Sequence, residues 1–164
     1  MPTGNRQAGF SYLLLLAWLS MLSLLLLRSY DHRQTQWRQD REEQLLFAGD
    51  QIRQAIRLYR ENPAGNKCYP TAFHQLISDT RGNRAQHLLR QIYIDPFSQK
   101  REWGMIYDEK QRWIGVYSQG SGRPLKQQGF SEPYIHFKQA ASYAEWQFKV
   151  EEDPAAPLPE RCTR

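Results

Sequence analysis

Residues 10–27, FSYLLLLAWLSMLSLLLL, form an unbroken uncharged run of eighteen positions. A short polar leader, residues 1–9, precedes it, and a strongly charged stretch, RSYDHRQTQWRQDREEQ, follows. At about 1.5 Å per residue a helix of this length just crosses a hydrocarbon core of roughly 30 Å. Lipid offers no partner for backbone amides, so the run is predicted to be helical and membrane-spanning. A removable secretory signal would have a shorter apolar core followed by a small-x-small cleavage site, and no such site follows Leu27. The charged continuation is free of Pro and Gly until Gly49, so the helix is predicted to run on past the membrane, from residue 28 to 62.

Within that continuation the pattern changes to a single stripe. Leu45, Ala48, Ile52, Ala55 or Ile56 and Tyr59 recur at three- and four-residue steps, with Arg53, Gln54, Arg57 and Arg60 turned elsewhere. A stripe of this kind calls for a sheet to cover it. Asn62-Pro63 and Gly65 end the helix, because the residue before proline is pushed out of the helical region. From Phe10 the whole rod would measure roughly 75 Å.

Residues 63–153 read as a small α/β head. A short helix is predicted around residues 75–78 and a second helical turn over 87–93, broken by Asp95-Pro96. Residues 102–107 and 112–117 are aromatic and β-branched runs separated by Asp108, Glu109, Lys110 and Gln111, which predicts a β-hairpin lying over the helix stripe. Strand signals recur at 134–137 and 143–150. The proline-rich tail, residues 154–164, is predicted to lie extended on the surface from Asp153 onward. The fold class is therefore α+β, with a long N-terminal helix on a small antiparallel sheet.

Composition narrows the function. A mean hydropathy of −0.75 in a chain with so apolar a run means that the remainder is very polar, as in a soluble head on a membrane stalk. The net charge of +5 is scattered rather than blocked, which argues against a nucleic-acid partner. Catalytic patterns are not found: His32, His74, His87 and His136 lack metal-ligand spacing, no G-x-S-x-G elbow occurs, and no glycine-rich loop opens a helix after a strand. Asp50 and the Glu42/Glu43 pair read as solvated partners of helix arginines rather than acid–base groups. Trp103, Trp113 and Trp146 read as core rather than as a sugar platform. The reading is not an enzyme.

The junction of the polar leader with Gly9, Phe10, Ser11, Tyr12 and Leu13 resembles the signal of type IV pilins and of the pseudopilins of type II secretion. Tyr69-Pro70-Thr71 after the long helix, a leucine-rich turn, Asp95-Pro96-Phe97, and Tyr117-Ser118-Gln119-Gly120 resemble elements of the major pseudopilins in the same order. The resemblance implies cleavage by a prepilin peptidase between Gly9 and Phe10. It also implies an assembly helix that begins with Phe10, Leu13, Leu14, Leu16 and Leu19. The implied partners are other pseudopilins or pilins and an inner-membrane assembly platform. The implied location is the bacterial inner membrane, single pass, with the head in the periplasm. The function so implied is a structural subunit of a periplasmic filament serving protein export.

This chain departs from the family at two places. The fifth residue after Gly9 is usually a glutamate, thought to pair with a neighbour's terminal amine, and here it is Leu14. The family's calcium loop normally carries aspartates, whereas residues 118–130 contain no Asp or Glu, so the calcium site is predicted to be absent or remodelled and no cofactor is expected. Arg28, Arg33, Arg38 and Arg41 outnumber Arg6, which by the positive-inside rule alone would place the head in the cytoplasm. The resemblance places it outside, and Cys68 and Cys162 suit an oxidising compartment. Those two cysteines are either free thiols or a pair that pins the C-terminal region, as in many pilins. Leu14 keeps a second reading open: a membrane-anchored periplasmic binding module that never polymerises.

Overall fold

The structure is a computed structural model that describes residues 8–100 and 102–162. Side chains at residues 8–9 and 27–32 are outside the description, as are most of the expected leader and the side chains of Arg28 and His32. The chain is α+β and opens with one long helix, α1, Ala8–Glu61. Two compact units divide it, Met1–Gln39 and Asp40–Arg164, so the last turns of α1 belong with the head. The helix ends where the proline rule requires. Asn62 takes an extended conformation, its side chain accepts from the Ala64 amide, and a 3-10 turn at Pro63–Gly65 follows.

In the head unit α1 buries one face. Leu45, Ala48, Ile52, Ala55, Ile56 and Tyr59 are all buried in the core, as the periodicity requires. Each fully buried Leu or Ile contributes about 1.5–3 kcal/mol. Facing them is an antiparallel sheet, with three strands among the described residues: β1 (Trp103–Tyr107), β2 (Trp113–Ser118) and β3 (Gln147–Lys149), in the order β1-β2-β3. The hairpin pairs Trp103 with Ser118 and Ile106 with Gly115, then slips at Tyr107, which meets Trp113. Its turn is closed by Asp108, whose carboxylate accepts from the Lys110 and Arg112 amides. Trp103, Trp113 and Trp146 all sit in the core.

Three sequence expectations need correction. Residues 87–93 are not helical: the Leu88 and Leu89 amides both donate to the Leu76 carbonyl, so the pair is held by α2 (Phe73–Ile77) rather than by its own turn. Tyr134-Ile135-His136-Phe137 forms no strand but a 3-10 turn at Ile135–Phe137, anchored by Phe137 stacking on Trp146 with ring centroids 5.5 Å apart. The strand expected over 143–150 begins only at Gln147, since Tyr143–Glu145 is another 3-10 turn.

The tail is also less free than its prolines suggest. Arg112 donates to the carbonyls of Asp153 and Ala156, each at 2.8 Å, Lys110 to Pro154, and Arg60 to Glu151, so Ala156 is buried instead of lying on the surface. Cys162 then bonds to Cys68, with Cα atoms 5.8 Å apart across a separation of 94 residues. Closing a loop of that size removes about 4–5 kcal/mol of unfolded-chain entropy in the simplest account.

Gly49 marks the closest approach of α1 to the sheet. A Cβ there would fall 2.4 Å from Cδ2 of Phe148, on β3. A mid-helix glycine costs about 1 kcal/mol relative to alanine, which the close seating of the Phe148 ring offsets. Gly49→Ala should therefore lower stability by about 1–3 kcal/mol despite its better helix propensity. The urea midpoint followed by tryptophan fluorescence measures this, and a rise in the midpoint would show that the ring is not seated as described.

Candidate assembly helix and its head

The predicted assembly residues lie together on α1. Phe10, Leu13, Leu14, Leu16 and Leu19 are all exposed, and so is every other described side chain from residue 10 to 26. Phe10 is 69% and Trp18 70% exposed, so no face of this stretch is covered by the chain itself. The polar interruptions are internally satisfied: Ser20 donates its hydroxyl to the Ala17 carbonyl at 2.8 Å, and Ser23 to Leu19 at 3.0 Å. A hydroxyl bonded back to its own helix can enter an apolar medium without an unmet hydrogen bond. Among the described residues no helix is long and apolar enough to cross a membrane. The described side chains of the run stop at Leu26, and Leu27 lies outside them.

Asp50, Asp79 and Asp108 of the head each pair with an arginine. Asp108 and Arg112 are both buried and meet at 2.5 Å. Burial alone would raise the Asp108 carboxyl, but hydrogen bonds from the Arg112 side chain and backbone outweigh it and hold Asp108 below the ordinary aspartate value. Asp79 is lowered first by the Arg81 side chain, against burial, with help from Asn62. Asp50 is likewise lowered: burial opposes, while hydrogen bonds from Tyr134, Arg53 and Gln54 prevail. Tyr134 in turn is pushed up by burial and by its hydrogen bond to Asp50.

Three carboxylates depart from the sequence reading. Glu42 is not a solvated partner of helix arginines. It is 3% exposed and accepts from the amides of Leu125 (2.5 Å) and Lys126 (3.0 Å) and from the Tyr143 hydroxyl (2.7 Å). Asp50 is half-buried, with Arg53 three residues on at 2.9 Å. The sequence marks Asp95 as a helix breaker and as part of the Asp95-Pro96-Phe97 element, yet it is 1% exposed and receives Ser118 Oγ and the amides of Phe97 and Gln119. The available signal for Glu42 was its place three residues before Leu45, on the buried stripe. His74, His87 and His136 are exposed on separate elements. Among the described residues no group of three or more His, Cys, Asp or Glu side chains is placed to hold a metal ion.

Surface cavities of about 200, 440 and 540 Å³ each have Cys162 in their lining. One of about 200 Å³ is lined mainly by Tyr69, Tyr107, Trp113 and tail prolines around the buried Arg112. Arg112 is already engaged by Asp108 and two carbonyls. Compared with protein-family models, curated proteins and solved structures, the chain finds no match.

The depressed Asp108 fixes a pH dependence. A carboxyl whose native pKa lies below its unfolded value, near 3.8, contributes stability that is fully present above that value and lost as pH falls through the lower native one. At pH 7 Asp108→Asn should cost about 3–5 kcal/mol, because buried Arg112 loses its counter-charge. Between pH 4 and 2 the variant should lose less stability than the wild type. Denaturation series across this range measure both, and parallel pH profiles would show that Asp108 does not titrate in the pair.

Proposed function

We propose that the chain is a structural pseudopilin-like subunit. Its apolar N-terminal helix, residues 10–27, spans the inner membrane after removal of the leader and packs against the helices of other pilin-like subunits to build a periplasmic filament for protein export. The observation that carries the reading is the stretch of α1 whose described side chains are predominantly apolar and all exposed. A helix that is apolar all round belongs in a bilayer or inside an assembly. Supporting it are the Gly9-Phe10 junction and a long helix leading into a small antiparallel sheet, the coarse architecture that the pilin resemblance implies. The Cys68–Cys162 bond suits the oxidising side of the membrane, against the arginine count.

In this reading the chemistry is mechanical. Lipid tails are as apolar as leucine, so helix association depends on close packing and on partners for buried polar groups. Extraction of the rod from the bilayer needs outside work, supplied by an assembly platform and its cytoplasmic ATPase. The head, tied by its disulfide and buried ion pairs, stays folded while the rod moves. Leu14 favours a second reading, a single-pass anchored binding module. A neighbour's terminal amine would find no carboxylate at that position, and an unpaired charge in lipid costs several kcal/mol.

Processing separates the two. Intact mass of membrane-purified protein, expressed with and without a prepilin peptidase, should show loss of residues 1–9 only when the peptidase is present. Retention of Met1 to Gly9 in both samples would leave the anchored module. A C-terminal reporter active only in the cytosol would overturn the periplasmic orientation.

A further inference from the structure

The connection from β2 to β3, residues 119–146, is long and has only two 3-10 turns among its elements. In the resembling family the first part of this connection is ordered by calcium. Calcium takes six to eight oxygens at about 2.3–2.6 Å, usually with carboxylates among them. Residues 118–130 supply none, so any carboxylate would have to come from elsewhere. Among the described residues, Glu42 from α1 and Asp95 from the strand-free stretch before β1 reach this segment.

Neither is disposed for a cation. Both Glu42 oxygens accept hydrogens from the loop, one from the Leu125 amide and the Tyr143 hydroxyl, the other from the Lys126 amide. Asp95 likewise has both oxygens engaged, by Phe97, Gln119 and Ser118. A polarised N–H aimed at a carboxylate places positive charge where a cation would approach. The donors therefore take the role of the metal and also exclude it. The residues present do not fit calcium.

We propose that the start of this connection is held in place by the Glu42 and Asp95 carboxylates through hydrogen bonds alone, so that the head keeps its fold whether calcium is present or not. Glu42 is a positioning residue, linking the helix that carries the head to a loop more than 80 residues downstream. Further contacts continue the lock: the Tyr143 amide donates to Gly122 at 3.1 Å, and the Tyr143 ring stacks on Phe97 with centroids 3.9 Å apart. One consequence rests on the function proposed above: a filament subunit of this kind would stay competent to dock when external calcium is withdrawn.

Hydrogen exchange on the full-length protein in detergent tests the proposal independently of any filament. Amides of Leu125, Lys126 and Gln119 should be equally protected in millimolar calcium chloride and in excess chelator. In Glu42→Gln, exchange at Leu125 and Lys126 should rise about tenfold or more while Ile52 stays protected, because a charged acceptor is lost locally. Leu45→Ala, a general destabilisation, should instead raise exchange across the head. Faster exchange at those amides on chelator alone, or unchanged protection in Glu42→Gln, would overturn the proposal. Should Glu42→Gln not fold, the chelator comparison on wild type and the Gln119 amide in Asp95→Asn decide it.

Discussion

The contact between the buried stripe of α1 and the inner face of the sheet is what the head depends on. Ile52 and Ile56 are fully buried, Gly49 admits the Phe148 ring against the helix, and Val116 and Trp146 complete the same core. A three-stranded sheet with one short strand cannot bury enough surface alone. The helix supplies the missing wall. It also explains why so much irregular chain is tolerated between β2 and β3: aromatic rings from Phe130, Phe137 and Trp146 pack together beneath it, with centroids 5.5–5.7 Å apart.

The same helix has another apolar surface that the chain does not cover. Around residues 10–26 leucines point in every direction, whereas from Leu45 to Tyr59 the buried apolar positions fall on one side and Phe47 and Leu58 stay exposed. The head stripe is satisfied within the molecule, whereas the described side chains of the leucine run are exposed. Leu14 stands where the resembling family has a glutamate.

Much of this was legible in the residues. Three- and four-residue spacing marked the apolar stripe of α1 that is buried in the head, though not Glu42 or Gly49, and Asn62-Pro63 marked its end. The hairpin followed from two β-branched, aromatic runs around a polar turn. What escaped was decided by long-range partners. Leu88 and Leu89 have helical spacing, but their amides are captured by the Leu76 carbonyl. Residues 134–137 are aromatic and β-branched like a strand, but ring stacking on Trp146 holds Phe137 instead of a ladder. Glu42 looked like one more charge on a charged helix, and only the fold shows that loop amides converge on it. Asp95 was legible as a turn former, not as the acceptor that holds the end of β2.

A pilin-like filament requires the exposed leucine surface of α1 to meet the equivalent surface of another pilin-like chain. Single cysteines placed at Leu13, Leu16 and Leu19 test it in cells under mild oxidation, with the native pair already closed and silent. The account predicts adducts at these positions to cysteines in the apolar helix of a co-expressed pilin-like subunit, lost when the cysteine is moved to the head. Monomer alone at every position, with that subunit and the assembly platform present, would contradict it.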